Sequence, residues 1–444
     1  SNLSLQDRSI WNVTADSNLT NLSSSDSVIA FTPPSGGVFK TLTAANYTGS
    51  NGVIALNTVL GGDGSPSDRL VINGGSASGS TGLRIANTGG AGALTTGNGI
   101  LVVDAINAGT TTTDAFRLGG RVVAGPYEYT LQRASVDATN DQAWYLRSTQ
   151  EPTPPTPPDP TPPGPVPPTP PVPPDPVPPD PTPPGPVPPT PPEPLKPNYR
   201  AETSLYTAVP AMALVYSRTL IDTLHERVGE ERRMGTEPLR AEEQQAYGPS
   251  LGWGRLIYHS GEQEQGANGN SPEYNYDLRA FQVGLDLYRS EDVQGATNQA
   301  GVSLAIGNID GGVKHSNRAN AGDDTLHAYT LGGYWTHFGE GGWYLDGVLQ
   351  LHRFDIEAKP DNLGKLETTG WGYTGSIEGG YPFQASKDLY VEPQAQLIYS
   401  RVNLDDSHDL AADVRFDDVD SLIGRVGVRI AKDWFRDDKG AQRR

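Results

Sequence analysis

The chain has 444 residues, with 52 glycines, 39 prolines, no cysteine and a formal net charge of −19. The missing cysteines remove disulfides and thiolate chemistry, and the negative balance opposes a nucleic-acid partner, because no basic stripe is available to displace counterions from phosphates. No run of 18 apolar residues marks a transmembrane helix, and the opening SNLSLQDRS lacks the basic and apolar segments of a signal peptide, which predicts a start inside a longer protein.

Residues 1–147 are rich in Gly, Asn, Thr and Ser and carry short apolar runs: SVIAF, GVIAL, RLVING, GLRIAN and GILVVDAI. Each run is strand-length, and GGDGSPS, GGSASGSTG and TGGAGALTTGNG between them are turn formers, with no helix-period segment. Strands recurring at intervals of roughly 10–20 residues with only turns between them suit a solenoid whose coils touch only their neighbours. A right-handed parallel β-helix is expected, with a β-sandwich as the alternative.

Residues 159–171, DPTPPGPVPPTPP, recur unchanged at 180–192, and 28 prolines lie between Pro152 and Pro197. Proline lacks an N–H and fixes φ, so this stretch joins no helix or sheet and reads as a polyproline II spacer; fully straight, at roughly 3.1 Å per residue, it would reach about 140 Å. The repeated PxxP also fits an SH3-type or WW-type ligand, a weaker reading than a semi-rigid linker.

Beyond the spacer, residues 200–234 place Leu214, Ser217, Thr219, Leu220, Leu224 and Val228 near helical spacing, and Pro210 is expected to confine the helix to the part after it. From Leu251 onward eight segments alternate with period two. Phe281, Val283, Leu285 and Leu287 share one face while Gln282, Gly284 and Asp286 share the other, and the pattern recurs through Val302–Ile306, Tyr329–Trp335, Leu345–Leu351, Trp371–Tyr381, Val391–Tyr399 and Leu422–Ile430. The opposite faces carry Asp346, Gln350, Ser376, Glu378, Glu392, Gln394, Gln396, Arg425 and Arg429. One helix cannot cover so much apolar sheet, whereas lipid can, with the charges facing a polar lumen. Strands of about 9–13 residues, and aromatic girdles including Trp335, Phe338, Trp343, Trp371, Tyr381, Phe383, Tyr390 and Tyr399, are the expectation for an antiparallel outer-membrane β-barrel.

Three stretches resemble the autotransporters of type V secretion, most closely their pertactin-like branch. PYEYTLQRASVDATNDQAWYLRS (126–148) resembles the end of a pertactin-type passenger, with Tyr127, Tyr129, Leu131, Trp144, Tyr145 and Leu146 closing the β-helix as an autochaperone-like cap. The proline-rich spacer leading into TLHERVGE (223–230) is similar to the linker and pore helix of the family, and FQVGLDL, GGWYLDGVLQ, GWGYTGSIEGGYPF, YVEPQAQLIYSRV and DSLIGRVGVRI are similar to its β-domain. The resemblance implies a passenger end at 1–150, a linker at 151–198, a helix in the lumen at 199–235 and a translocator barrel at 248–444. It also implies an outer-membrane barrel with a surface passenger, and as partners outer-membrane lipid and lipopolysaccharide, the barrel-assembly machinery, periplasmic chaperones and host surface ligands. The family barrel has twelve strands and ends on an aromatic residue, whereas eight strands and a terminal DDKGAQRR are legible here, so the barrel is expected to be incomplete. Since a closed eight-stranded barrel is filled by its own side chains, it is not expected to hold a helix as well.

Chemical motifs are sparse. GPSLG (248–252) matches a nucleophile elbow without its strand-to-helix setting, GGDGSPSD (61–68) has Pro66 where a calcium-binding repeat needs Asp, and the seven histidines show no ligand spacing. No catalytic residue, metal or other cofactor is expected. Arg218, Thr223, Leu224, His225, Glu226 and Arg227 are the candidate pore-helix residues, and Asp286, Asp346, Glu378, Glu392, Arg425 and Arg429 the candidate lumen wall, with Arg218 and Arg227 pairing to the carboxylates. Two functions fit: translocation and display of an adhesin-like passenger, or the anchor and stem of a passenger protease or esterase whose catalytic domain lies upstream of Ser1.

Overall fold

The computed structural model describes residues 1–150, 195–224, 252–264, 272–291, 295–386, 389–432, 434–435 and 442–443. It divides into two units, Ser1–Asn198 and Tyr199–Arg444. The proline-rich stretch through residue 194, His225–Arg227, most of GPSLG and most of the terminal DDKGAQRR lie outside the described residues.

The first unit is a parallel β-stack. Its strands are β1 (Asn2–Leu5), β2 (Ile10–Val13), β3 (Ser17–Ser25), β4 (Val28–Phe31), β5 (Thr41–Thr58), β6 (Arg69–Asn73), β7 (Ser76–Asn87), β8 (Ile100–Ile106), β9 (Thr110–Thr111) and β10 (Phe116–Leu118). Pairing runs β1-β3-β5-β6-β8 along one side and β2-β4-β5-β7-β10 along another, with every pair parallel. Parallel register settles the expected choice in favour of the β-helix and against a sandwich, whose sheets would be antiparallel. The five apolar runs all fall on strands, but β3 consists largely of Asn, Ser and Thr, and β1 and the first half of β5 mix these residues with isolated apolar ones and carry no apolar run. These strands are held by side-chain ladders: Asn21 Nδ2 donates to Asn2 Oδ1 at 2.9 Å and Asn46 Nδ2 donates to Asn21 Oδ1 at 2.9 Å, giving coils of 19 and then 25 residues.

Register stacks the buried side chains into columns. Leu42, Leu70, Val103 and Trp144 form one, Trp11, Ile29, Ile54, Leu83 and Leu118 a second, and Leu3, Leu22, Tyr47, Ala77 and Thr111 a third. The GGDGSPSD turn serves the stack through its carboxylates. Buried Asp68 accepts from the N–H of Lys40 at 2.7 Å, the N–H of Asn57 at 2.9 Å and Asn57 Nδ2 at 2.7 Å. Asp63 is partly desolvated, which works against ionisation, yet the N–H groups of Gly99, Thr96 and Gly97 outweigh this and hold its carboxyl below its ordinary value.

After the short strands β11 (Val123–Ala124) and β12 (Tyr127–Glu128), the unit ends in β13 (Thr130–Arg133) and β14 (Trp144–Arg147). These two pair antiparallel, and β14 lies antiparallel on β8. The far end of the proline-rich stretch returns to the same place. Asn198 N–H donates to Ser148 O at 2.7 Å, Gln150 N–H donates to Lys196 O at 2.9 Å, and Asn198 Nδ2 donates to Glu128 O at 2.8 Å. The described residues on either side of the stretch are therefore fastened side by side, because free backbone groups past β14 find partners there; residues 151–194, on which the spacer expectation falls, lie outside the described residues.

The second unit begins with α1 (Glu202–Thr219). The helix starts before Pro210 and runs through it, contrary to expectation. An interior proline costs about 3 kcal/mol, but burial of Leu205, Val209, Met212, Ala213 and Tyr216 on both sides of it outweighs that loss. Eight long antiparallel strands come next: β15 (Trp253–Gln263), β16 (Glu273–Glu291), β17 (Thr297–Lys314), β18 (Asn320–Phe338), β19 (Tyr344–Pro360), β20 (Leu366–Gly380), β22 (Leu389–Leu404) and β25 (Val419–Lys432); the short β21 (Phe383–Ser386), β23 (Ser407–His408) and β24 (Asp413–Val414) fill two connections. Most exceed the expected length, reaching 19 residues in β16 and β18.

The sheet order is β15-β16-β17-β18-β19-β20-β22-β25, and among the described residues β15 and β25 each pair on one side only. An open curved wall of eight strands can take a helix that a closed ring of eight would exclude, which removes the expected conflict. The helix lies against β17 where glycine makes room: a Cβ on Gly311 would sit 2.5 Å from Met212 Cε, and one on Gly307 2.9 Å from Tyr216 Cε2.

Asp68→Ala strips the acceptor from two buried donors of Asn57 and the part-buried N–H of Lys40 and should lower the unfolding free energy of the first unit by about 2–4 kcal/mol, measured in urea.

Candidate functional site

The concave face of the sheet holds α1 by three groups of contacts along its length. At the N-terminal end, Arg200 Nη1 meets Asp409 Oδ2 at 2.6 Å, with side chains only 2% and 0% exposed. Tyr206 Oη donates to the same oxygen at 2.8 Å, and the N–H groups of Ala411 and Ala412 donate to Asp409 Oδ1 at 2.8 Å. Ser204 Oγ lies 2.8 Å from His315 Nδ1. The connections 405–418 and 315–319 are thus tied to the first turns of the helix. Burial works against the Asp409 charge, but the Arg200 guanidinium, the Ala411 N–H and the Tyr206 hydroxyl hold its carboxyl below the ordinary 3.8.

Midway, Tyr216 Oη reaches Thr330 Oγ1 at 3.3 Å, Thr330 Oγ1 lies 2.9 Å from His352 Nδ1, His352 Nε2 lies 3.1 Å from Thr374 Oγ1, and Thr374 donates to Ser400 Oγ at 3.1 Å. One buried chain of polar groups therefore runs from the helix across β18, β19, β20 and β22.

At the C-terminal end the orphan carbonyls of the helix meet donors from the wall. Arg255 Nη2 donates to Leu220 O at 2.8 Å, Gln350 Nε2 to the same oxygen at 3.2 Å, and Gln396 Nε2 to Asp222 O at 2.8 Å, while Arg255 Nη1 pairs with Asp222 at 3.3 Å. A cation at this end also complements the helix dipole. Leu224 N–H donates to Glu378 Oε2 at 3.1 Å, and Tyr344 Oη donates to Glu378 Oε1 at 2.6 Å.

The expected docking by ion pairs from Arg218 does not occur. Arg218 is exposed, and among the described residues it forms no ion pair with Asp286, Asp346, Glu378 or Glu392. Its position turns it away from the wall, and buried carboxylates are cheaper to satisfy with nearby hydroxyls and amides than with a long cation that must be desolvated. Asp346 accepts from Thr336 at 2.6 Å, Asp286 from Tyr334 at 2.6 Å, and Glu392 from Gln394 at 2.7 Å, with Arg429 at 4.0 Å; Arg425 is exposed. Thr223 and Leu224 are buried, whereas Arg227, the other expected partner, lies outside the described residues with His225 and Glu226. Arg200, Arg255, His352 and Asp409 were missed. An arginine opening a helix and another near the start of a strand carried the only signal, and nothing in sequence joins Arg200 to a residue 209 positions away.

The convex face is lipid-like. Leu349 is 57% exposed, and Phe281, Leu285, Leu304, Ile306, Leu331, Trp371 and Ile377 are likewise exposed. From Leu345 to Arg353 the apolar band covers about 27 Å of strand at 3.4 Å per residue. At a tilt of about 40° its height is roughly 20 Å, close to the lipid band of an outer-membrane barrel. Past Arg353, which stacks 5.1 Å over Trp371, the outer face turns charged with Asp277, Asp310, Asp323, Asp355 and Glu357. That charged end carries the 315–319 and 405–418 connections and the opposite end the short 339–343 turn, the arrangement in which the charged end of an outer-membrane barrel faces the cell exterior.

In the first unit, Trp144, Tyr145, Leu146 and Tyr129 are buried, and Tyr127 and Leu131 half-buried. Trp144 Nε1 donates to Thr111 Oγ1 at 3.0 Å and its ring meets Phe116 edge-on at 5.6 Å. Tyr129 Oη donates to Gly61 O at 2.9 Å and accepts from Ala93 N–H at 3.0 Å, and buried Arg147 donates to Gln132 Oε1 at 2.7 Å and Asn98 O at 2.9 Å. Phe116 and Thr111 were not legible as parts of this end, because register alone brings them there.

A lipid-facing antiparallel wall with a helix along its concave side, in one chain with a parallel β-stack, defines an outer-membrane translocator carrying its own passenger. Two family models agree: the Autochaperone Domain Type 1 matches residues 17–131 and the Autotransporter beta-domain matches residues 252–442. The chain belongs to the autotransporters of type V secretion. It is 30% identical over 408 residues to the adhesin BmaC autotransporter of Brucella suis, covering 87% of this chain and 11% of BmaC. It is 27% identical over 382 residues to the autotransporter adhesin AIDA-I of Escherichia coli, covering 82% of this chain and 25% of AIDA-I. Identity to the pertactin autotransporter of Bordetella parapertussis is 30% over 445 aligned residues, covering 96% of this chain and 44% of pertactin. The chain thus spans less than half the length of these relatives. Its β-domain resides in the outer membrane with the passenger at the cell surface.

Trp144→Ala should cost about 3–5 kcal/mol in the unfolding of the first unit by opening a cavity beneath its last strand. Asp409→Asn removes the nearer carboxylate from buried Arg200, leaving Glu202 at 3.9 Å, and should loosen the start of α1, read as faster proteolysis near Tyr199. A carboxyl whose folded value lies below the ordinary 3.8 stabilises above that value and loses its contribution as pH falls through the folded value. The wild-type contact should therefore hold at neutral pH and loosen only in acid below about pH 4.

Proposed function

We propose that this chain is the stem and translocator of a surface adhesin: the sheet conducts the passenger outward, α1 then occupies its concave side, and the stack at 1–150 folds outside from its capped end. The observation that carries the reading is the fastening of α1 along its length, at Asp409, at Tyr216 and at Arg255, with its N-terminus at the outward end. A helix so held can keep the passenger attached while filling the space it passed through. The adhesin reading is supported by the relatives named as adhesins, BmaC and AIDA-I. Capping favours folding that starts at β13–β14, since this end is already satisfied by antiparallel pairing and each further coil can add to it. The non-enzymatic reading agrees with those names. Membrane lipid, lipopolysaccharide and the barrel-assembly machinery are the partners the apolar band calls for, and host ligands those an adhesin calls for.

The test is to export the chain to the periplasm of a Gram-negative host behind a signal peptide and label intact cells with antibody against residues 1–150. Labelled cells with the second unit in the outer-membrane fraction are the expected result, and Trp144→Ala should reduce the labelling. A folded first unit confined to the periplasm, with the second unit inserted, would overturn the proposal.

A further inference from the structure

The convex face has a notch at its periplasmic rim. β20 ends at Gly380 opposite Gln394, and β21 begins at Phe383 opposite Val391. Between these points the Tyr381 N–H, donating to Pro393 O at 3.2 Å, is the backbone link, and Pro393 has no N–H to return. The ladder opens there. Gly379, Pro393 and Ala395 carry little side chain beyond the backbone here, and with Trp343 and Tyr381 they line a shallow, open depression of about 490 Å³. The notch is mostly apolar: of its lining, Gln394 donates to Glu392 at 2.7 Å, and Trp343 and Tyr381 are aromatic with one polar group each.

Its level on the sheet matters. At this level Leu345, Val426 and Val428 beside the notch are still apolar, while farther along the sheet the outward positions are His337, Asn298 and Ser290, so on that side the polar interface of the membrane begins here. The aromatic residues of that interface cluster around the notch, with the His337 ring 5.0 Å from Trp343 and the Tyr381 ring 4.9 Å from Phe383. An apolar recess continuous with the lipid-facing band and ending at the headgroup level matches the first part of an acyl chain whose headgroup lies beside His337. A bilayer surface of even side chains would have no such recess to fill.

We infer that this notch binds an acyl chain of a phospholipid from the periplasmic leaflet, as a site distinct from the bulk lipid that covers the rest of the band. The inference rests on the outer-membrane reading. Bound lipid would fill the space that Gly379 and Ala395 leave and cover the open ladder between β20 and β22.

The test uses the whole chain reconstituted with a phospholipid bearing a diazirine on its acyl chain, irradiated and mapped by peptide mass spectrometry. As the probe is diluted with detergent, labelling of the peptide containing Trp343 or Tyr381 should persist several-fold above that of the peptide containing Trp371, which faces bulk lipid higher on the band. Ala395→Leu, whose added atoms enter the notch from an exposed position, should abolish the excess while leaving the Trp371 peptide unchanged, and Gly379→Leu should do the same if it folds. Equal labelling of both peptides at every dilution, or an excess that survives Ala395→Leu, would overturn the inference. Labelling of neither peptide would overturn the membrane reading itself, and the site with it.

Discussion

The second unit depends on how its concave face is covered. A sheet of this length has two faces, and lipid can satisfy only the apolar one. The other carries Asp346, Glu378, Glu392, Gln350 and His352, each buried and each costly unless hydrogen-bonded. The helix α1 does not neutralise these groups with charge. It contributes an apolar flank against Ala305, Ile309, Leu326 and Phe354, and leaves the polar groups to be satisfied by one another and by its own backbone ends. Gly307 and Gly311 let it approach closely, so the loss of side chains on β17 is part of the same contact.

The two ends of α1 are held by different physics. At its C-terminus the exposed carbonyls of Leu220 and Asp222 need donors, and Arg255, Gln350 and Gln396 supply them from three separate strands. At its N-terminus the contact is a desolvated ion pair between Arg200 and Asp409, supported by Tyr206 and two backbone N–H groups. Such a pair adds little net stability over an apolar equivalent, but breaking one half of it is expensive, which suits a contact that fixes position. The carbonyl contacts fix depth; the ion pair fixes the 405–418 connection over the outward end.

The first unit solves a different problem, since a parallel stack exposes a strand edge at its end. β14 turns antiparallel on β8, β13 covers β14, and the chain at Lys196–Asn198 pairs with Ser148–Gln150 just past β14. Trp144 then stands where the Leu42, Leu70, Val103 column stops, and its indole N–H finds Thr111, the last member of a neighbouring column.

Much of this was legible without a structure. Alternation in FQVGLDL and its counterparts announces a sheet with one apolar face, because side chains leave a strand on opposite sides whatever surrounds it. The aromatic YEYTLQ and WYLRS likewise announce a place where the β-stack closes. Three things were not legible. Asn- and Ser-rich strands such as Ser17–Ser25 lack the apolar signal and become strands because identical side chains stack in register. The helix passes through Pro210 because packing on both sides outweighs a local penalty, and packing is not a local quantity. Arg255 and Asp409, not Arg218, hold the helix, since which face of α1 meets the wall depends on rotation about its axis. Local pattern by itself determined that strands, helix and closing end exist, since period and residue type act over a few neighbours; which groups meet, and so what holds the helix in place, was decided only when distant strands were brought into register.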